Sequence, residues 1–479
     1  MGILKYSRAA CAALVLLGFH QQSSAESATT FRPGTELFVD DQNIVESANV
    51  TRKLRQASKL DKPVLSPDKP WENGRIYIYG TVVREDSGKF RMWYSGGGLA
   101  YAESTDGVNW IKPELRYVER DGKPTNLLIK GRNLCFVIDD KAEKDPAKRY
   151  KALDNTEHHN FIGMYSADGF VWHMYDKSPL IPYGSEISNG VRDPRTNEFY
   201  VYIRPHLPRP FPKDMNEKRL VSVITSKDFE NWSEPKLIIA PDSKDDAWLK
   251  DPVQRTEFYG MSGFPYGNQY LGLLPVFRVT GIYTKEELTK LQSRYEGPID
   301  GQLVTSRDGL TWQRTDERVP VIATGPHAYD KGCIMNVSST PVIVGDEVWY
   351  YYTGLSTTHG GKVPEKYASI ALAKWRLDGF ASLDAGDVEG VIETKPFKPR
   401  GGKLEINANA ANGQVAVEVL DETGKAIAGL GATDFKAITT DSVRHAAAWS
   451  SNAALPTDRP IRLRFKLKNA SLYSYTVSQ

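Results

Sequence analysis

One short phrase occurs four times along the middle of this chain, and its spacing constrains the fold more than any other feature. The copies are Ser104-Thr-Asp-Gly-Val-Asn-Trp110, Ser166-Ala-Asp-Gly-Phe-Val-Trp172, Ser226-Lys-Asp-Phe-Glu-Asn-Trp232 and Ser306-Arg-Asp-Gly-Leu-Thr-Trp312. Successive tryptophans are 62, 60 and 80 residues apart. A unit that recurs at such a period indicates a repeat architecture, and Asp-Gly is typical of a hairpin turn. One unit per roughly 60 residues is the size of a four-stranded propeller blade.

Three strand-like runs precede each phrase, and a fifth set follows the last copy. The predicted strands are 76–84, 89–95 and 99–104; 133–138, 150–154 and 161–166; 187–191, 198–204 and 220–226; 257–264, 269–277 and 301–306; and 333–344, 347–353 and 369–375. Runs 36–40 and 51–56 are predicted to close the ring with the last blade. The longer fourth repeat contains Thr284-Lys-Glu-Glu-Leu-Thr-Lys-Leu, whose spacing and N-cap threonine predict a helical insertion.

After Pro399 the pattern changes to short alternating strands at 403–408, 414–420 and 461–467, with a turn at Glu422-Thr-Gly-Lys425. About 80 residues of this kind predict a small β-sandwich. The expected architecture is therefore all-β. A five-bladed β-propeller spans 26–396 and a C-terminal β-sandwich spans 397–479.

Residues 1–25 have the composition of a secretory signal peptide. Lys5 and Arg8 precede an apolar stretch from Ala9 to Phe19, and small residues at 23–25 offer a cleavage site. The stretch is too short to span a bilayer, and no later run is as long without charges. The expectation is an exported protein, periplasmic or extracellular, without membrane insertion.

Charge and cysteine content exclude several classes of function. The formal net charge of +2 gives no field that would gather nucleic acid. Beyond the leader the chain has Cys135 and Cys333, which lie apart and form neither a disulfide framework nor a zinc motif. No cofactor and no metal site are predicted, although pocket carboxylates could hold a structural calcium ion. The oligomeric state stays open.

Several further motifs carry a resemblance to a known family. They include Leu37-Phe-Val-Asp-Asp41, Thr256-Glu-Phe-Tyr-Gly-Met261, Gly297-Pro-Ile-Asp300, Gly345-Asp-Glu-Val-Trp349 and Asp441-Ser-Val-Arg-His445. The chain resembles bacterial exported proteins described as glycoside hydrolase family 32-like or family 43-like. That resemblance implies a five-bladed propeller, a C-terminal sandwich and carboxylates that enter an axial pocket. Of the family 32 motifs, Arg192-Asp193-Pro194 matches in letters, in a predicted turn, whereas the Trp-Met-Asn-Asp-Pro-Asn-Gly and Glu-Cys motifs are absent.

Glycoside hydrolysis usually needs two carboxyl groups, and different blades can supply them at one end of the axis. The catalytic candidates start inner strands: Glu186 as general acid, Glu72 as base or nucleophile, and Glu257 as a third carboxylate that tunes or orients the acid. The resemblance implies the same role for Glu186, since family 43 enzymes carry their acid on the third blade. The alternatives are a solvated loop for Glu186, a surface turn for Glu72 and an arginine salt bridge for Glu257.

The predicted substrate-binding residues surround the same pocket. They are Trp71, Arg132, Asn133, Tyr259, His327, Asp330 and His359. Arginine forks suit a carboxylate or sulfate on an acidic sugar, although each arginine could equally neutralise a neighbouring carboxylate. The histidines and Asp330 could hydrogen-bond sugar hydroxyls.

The sequence therefore predicts a hydrolase that degrades a polysaccharide or oligosaccharide by carboxylate acid/base chemistry in the central pocket. Two alternatives stay open. One is a propeller that binds a glycan without cutting it, because fold does not dictate function. The other is a polysaccharide lyase in which Tyr259 or His327 acts as base opposite an arginine. The sugar, the linkage, exo or endo action, and inversion or retention stay open.

Overall fold

The computed structural model describes residues 31–155, 160–182, 188–204, 218–289 and 292–479. Within these ranges the chain is built from β-strands, and its helical elements are single 3-10 turns at Pro70–Glu72 and Pro146–Lys148. The predicted leader at 1–25 lies outside the described residues. No helix in the described ranges has the length and hydropathy to cross a bilayer.

Four strands precede the first blade, and they do not all serve the ring. They are β1 (Thr35–Leu37), β2 (Ile44–Ala48), β3 (Thr51–Leu54) and β4 (Ser58–Lys59). The first three pair with strands of the C-terminal sheets. Only β4 joins the propeller.

The first three blades are separate four-stranded sheets. The first contains β5 (Val82–Arg84), β6 (Phe90–Ser95) and β7 (Gly98–Ser104). A hairpin of β8 (Leu115–Arg120) and β9 (Lys123–Thr125) follows, and β10 (Leu127–Lys130) is the outer strand. The second contains β11 (Leu134–Asp139), β12 (Tyr150–Asn155), β13 (Phe161–Ser166) and β14 (His173–Met174). The third contains β15 (Ser188–Arg192), β16 (Phe199–Ile203), β17 (Val221–Ser226) and β18 (Lys236–Ile239).

The last two blades share one sheet through a parallel bridge between Ile299 and Cys333. The fourth contains β19 (Arg255–Phe258), β20 (Ser262–Tyr266), β21 (Gln269–Val279), β24 (Ile299–Ser306), β25 (Trp312–Arg314) and β26 (Pro320–Ile322), with a small ribbon of β22 (Gly281–Ile282) and β23 (Tyr295–Glu296). The fifth contains β27 (Cys333–Val337), β28 (Val342–Val344), β29 (Glu347–Leu355) and β30 (Ala368–Arg376). Its outer strand is β4, which pairs with β30.

Hydrogen bonds join the inner strands of successive blades around the axis. There is one such bond at each junction between blades. In order from the first–second junction to the fifth–first junction, they are Val137 N to Thr81 Oγ1, Arg192 to Asp140, Asn189 Nδ2 to Met261 O, Ser262 Oγ to Ser339 O, and Val82 N to Ser338 Oγ. The predicted five-bladed propeller is confirmed. The prediction that 36–40 and 51–56 close the ring is wrong: these strands pair with the sandwich, and β4 completes the fifth blade.

The repeated phrase forms one turn in all four copies. In the first, Gly107 N donates to Ser104 Oγ at 2.9 Å, and Trp110 Nε1 donates to Gly107 O at 3.0 Å. The fourth residue of the phrase is left-handed, with φ of +74° at Gly107, and a non-glycine residue, Phe229, occupies this position only in the third copy. Tyr351 of the fifth blade donates to the same Gly107 carbonyl. The phrase is therefore a turn, as its sequence predicts, and in the structure it also joins neighbouring blades.

The sandwich takes strands from both ends of the described chain. Its C-terminal strands are β31 (Ala381–Ala385), β32 (Gly390–Thr394), β33 (Lys403–Asn409), β34 (Gln414–Asp421), β35 (Asp441–Ala446), β36 (Ile461–Lys468) and β37 (Ala470–Ser478). One sheet has the order β3-β31-β37-β33-β35 with β1 beside β37, and the other has the order β2-β32-β36-β34. Alternating side chains from both sheets, among them Phe38, Ile406 and Phe465, form its core. The sandwich is thus larger than segment 397–479.

Candidate functional site

The candidate site lies at the end of the ring where the inner strands begin, here called the entry face. Successive strands in a blade are antiparallel, so inner strands run the same way and the turns between second and third strands lie at this end too. Side chains from all five blades lie at this end: Tyr77, Tyr79, Asp154, Arg204, Arg219, Glu257, Tyr259, Arg278, Tyr295 and His359. Tyr77, Tyr79, Tyr295 and Tyr259 belong to one apolar cluster around Phe277 and Met335.

His359 and Tyr259 form a hydrogen-bonded pair at the centre of this cluster. His359 Nδ1 lies 2.9 Å from the Tyr295 carbonyl, and Nε2 lies 3.1 Å from the Tyr259 hydroxyl. A carbonyl can only accept, so Nδ1 carries the proton and Nε2 accepts from Tyr259. Burial lowers the pKa of His359 to about 3, and the nearby charges of Lys366, Arg219 and Arg204 add to the effect. The imidazole is therefore neutral at physiological pH.

Glu257 is fully buried between two guanidinium groups. Arg219, which precedes β17, donates to Oε2, and Arg255 donates from Nε to Oε1 at 2.6 Å. Arg219 also lies over the Tyr295 ring at 4.8 Å from its centroid. Burial lowers the pKa of Arg219, but the charge of Glu257 and other partners outweighs this, so the net pKa is raised. The arginine salt bridge that the sequence left open for Glu257 is present, and it fixes both carboxylate oxygens.

Two more carboxylates on this face are also paired with arginines. Asp154, at the end of β12, accepts from Arg132 at 2.6 Å. Burial raises the pKa of Asp154, and Arg132 lowers it only in part. Asp300 accepts from Arg278 and, at 3.0 Å, from Gln302. The predicted binding residue Asn133 is exposed beside Arg132, with its amide 2.8 Å from Ser95 Oγ.

Glu72 has a different set of partners, within the first blade. Its carboxylate accepts from Lys112 Nζ at 2.7 Å, from the Tyr94 hydroxyl at 2.9 Å and from the backbone of Asp68 and Lys69 at 2.9 Å each. The Trp71 indole donates to Asn126 at 3.1 Å. Glu72 therefore caps the 3-10 turn and neutralises a buried lysine. Glu72 is buried, so it does not lie on a surface turn, the alternative that the sequence left open. It shares no hydrogen-bond partner with Glu257.

Asp330 and His327 also have partners that do not belong to the cluster around Tyr259 and His359. Asp330 is fully buried and accepts from Lys59 of the outer strand at 2.7 Å and from the Tyr352 hydroxyl at 2.8 Å. The His327 ring stacks on Tyr329, with centroids 5.3 Å apart. Asp330 thus holds the strand that completes the fifth blade. Of the predicted residues, the structure brings together Tyr259, His359 and Glu257, through Arg219. Glu186 lies outside the described residues.

Sequence reasoning missed several residues of this site. Tyr77 and Tyr79 alternate with isoleucines, so period-two spacing alone could have placed both on one face; their ring centroids are 5.7 Å apart. Arg219 and Lys366 had no such signal, because their partners are distant in sequence. In the part of the chain that the structure describes, no three His, Cys, Asp or Glu side chains converge as a metal site.

A cavity of about 380 Å³ lies at the opposite end of the axis. Its walls come from inner strands and the turns that follow them, and include Val82, Val137 and Val342. The buried Asp140 beside it is bonded to Lys151 at 2.9 Å and to Arg192. Asp193, of the Arg-Asp-Pro sequence, forms the following turn and binds Arg195 at 2.9 Å. This end therefore offers mainly aliphatic walls and structural ion pairs.

No protein-family model and no curated protein matches the sequence. A search of solved structures finds matches at low sequence identity. BT0996, in a complex with RGII, is 15% identical, covering 68% of this protein and 93% of the other, with a TM-score of 0.44. The α-L-arabinofuranosidase PaAbf62A from Podospora anserina, in complex with cellotriose, is 11% identical, covering 68% and 98%, with a TM-score of 0.41. An N-acetylgalactosamine deacetylase from F. plautii, in complex with blood group B trisaccharide, is 12% identical, covering 74% and 97%, with a TM-score of 0.37.

Proposed function

We propose that this protein is a glycoside hydrolase that binds and cleaves a polysaccharide or oligosaccharide at the entry face. One observation carries the proposal: several blades direct tyrosines and paired charges to the same end of the axis, around the buried Tyr259–His359 pair. Tyrosine rings offer flat apolar faces with polar edges, which suits sugar rings and their hydroxyls. Fixed, buried charges suit a reaction in which charge develops.

Glu257 is the carboxylate that we propose as partner in the reaction. Its two guanidinium neighbours hold both oxygens in place. Such a carboxylate suits a role in orientation or in stabilising positive charge on the sugar. The general acid remains Glu186, a prediction that rests on the sequence. Because Glu72 is saturated by Lys112, Tyr94 and the backbone, we do not propose it as the base or nucleophile.

A second candidate function is β-elimination on a uronic acid sugar, and the cluster of Tyr259, His359 and Arg219 favours it. A base removes the proton next to the carboxylate, the new electron pair forms a ring double bond, and the bond to the leaving oxygen breaks. An arginine that neutralises the sugar carboxylate assists such a step. The product would contain an unsaturated sugar, which hydrolysis does not produce.

The test incubates the purified protein with neutral, uronic acid and sulfated oligosaccharides. New reducing ends report cleavage, and ultraviolet absorbance reports unsaturated products. Glu186→Gln is expected to lower hydrolysis by roughly 10²- to 10⁴-fold, as removal of a general acid does. Glu257→Gln is expected to lower it as well.

The exposed Glu119→Gln is the matched control, and thermal melting shows whether each variant is folded. Cleavage by Glu186→Gln at the wild-type rate would remove that acid assignment. Unsaturated products would replace hydrolysis by elimination. Binding of a glycan without any turnover would make the protein a binding propeller.

A further inference from the structure

Among the described residues around the central pair, two guanidinium groups share one carboxylate. Glu257 carries one charge but accepts from both Arg219 and Arg255. Lys366 is buried, and its ammonium donates to the backbone carbonyl of His359, a neutral acceptor. Burial lowers the pKa of this lysine, and the charge of Glu296 offsets the effect only in part.

The central pair cannot balance this charge. His359 already donates from Nδ1 and accepts at Nε2, and the Tyr259 hydroxyl proton is used in that bond. Both groups are neutral. The cationic side chains Arg219, Arg204 and Lys366 therefore act on an uncharged imidazole.

Arg219 is positioned to contact a ligand. Its side chain is 16% exposed, and its Nε hydrogen has no hydrogen-bond acceptor among the described residues. Its plane is held by contact with the rings of Tyr295, at 4.8 Å, and Tyr259, at 5.4 Å. A guanidinium fork that aromatic rings hold in one orientation is preorganised for a planar or tetrahedral oxyanion.

We propose that Arg219 forms a subsite for an anionic substituent of the glycan, a carboxylate or a sulfate. The inference rests on the proposed function, because it assigns the substrate class to that site. The uncharged His359–Tyr259 pair and the tyrosine rings contact the sugar. The Arg219 guanidinium binds the anionic group.

Calorimetric binding to the full-length protein tests this inference without any mutation. One arm compares oligogalacturonates with their carboxyl-reduced forms, and the other compares sulfated carrageenan oligosaccharides with their desulfated forms. The acidic member of at least one pair is expected to bind roughly 10- to 150-fold more tightly, the gain of a charge-assisted hydrogen bond. That gain should shrink as salt is added. If the oligogalacturonate comparison shows the gain, the anion is a carboxylate; if the carrageenan comparison shows it, the anion is a sulfate.

Variants locate the subsite. Arg219→Gln should lose most of the preference for the acidic member over the neutral one, and Arg219→Lys should retain part of it. Arg116→Gln, on the exposed β8–β9 hairpin, is the matched control and should bind as wild type.

Equal affinity for the acidic and neutral members of both pairs would overturn the inference and leave the hydrolase proposal standing. Acid-selective binding without turnover would overturn the hydrolase proposal and leave the inference standing. Failure to bind any glycan would overturn both.

Discussion

Acidification should destabilise this fold through one histidine. His359 is 5% exposed and its pKa is lowered from the ordinary value of 6.5 to about 3, first by burial and then by neighbouring cations. Between those two values the unfolded chain binds a proton that the folded chain does not. Stability from this group is therefore present above pH 6.5 and declines as the pH falls toward 3. From pH 7 to pH 5 the loss amounts to about 2 kcal/mol in the free energy of unfolding.

The measurement is urea unfolding at pH 7 and pH 5, followed by tryptophan fluorescence. His359→Asn keeps a donor for the Tyr295 carbonyl and cannot titrate. Carboxylates such as Asp154, whose raised pKa favours the folded state in acid, contribute equally to both proteins and cancel in the difference. The variant should lose about 2 kcal/mol less than wild type between the two pH values. The exposed His173→Asn is the control. Equal pH dependence of His359→Asn and wild type would refute the argument.

Two further predictions concern buried charges that lie away from the central pair. Glu72→Gln should lower the free energy of unfolding by roughly 3 kcal/mol or more, because Lys112, 4% exposed, loses its buried carboxylate. Urea unfolding measures this loss, with the exposed Glu119→Gln as control. Equal unfolding midpoints for the two variants would contradict the prediction. Lys59→Met should destabilise the ring by roughly 3–5 kcal/mol and speed amide exchange at Ala373, because Asp330 loses its cation and β4 loses its anchor. Exchange and melting indistinguishable from the exposed Lys62→Met would count against that anchor.

Local patterns predicted the strands well but not every partner. The strand predicted at 161–166 is β13, because apolar residues and turn residues mark both its ends. The strands at 36–40 and 51–56 were also visible, yet their alternation could not show that they pair with the sandwich. At Thr284 the predicted cap does form, with Glu287 bonding back to the Thr284 amide, but the described residues continue only as a turn. A capping signal starts a helix only where later residues sustain it.

The candidate site was less predictable, because its contacts are distant in sequence. Tyr259 and His359 were both predicted to line the pocket, but their hydrogen bond joins residues 100 positions apart. Glu72 and Asp330 looked like pocket carboxylates because their cations, Lys112 and Lys59, are invisible to local patterns. A charged residue at the start of an inner strand can face either the axis or an adjacent loop. Only the packed structure distinguishes the two orientations.

The pairing of β1 with β37 sets an order on folding during synthesis. Thr35 and Thr476 bond across 441 positions. At about 5–20 residues per second, the ribosome needs roughly 20–90 s to produce the second after the first. All five blades emerge within that interval, so the ring can assemble first while the opening strands wait, exposed, for partners not yet translated.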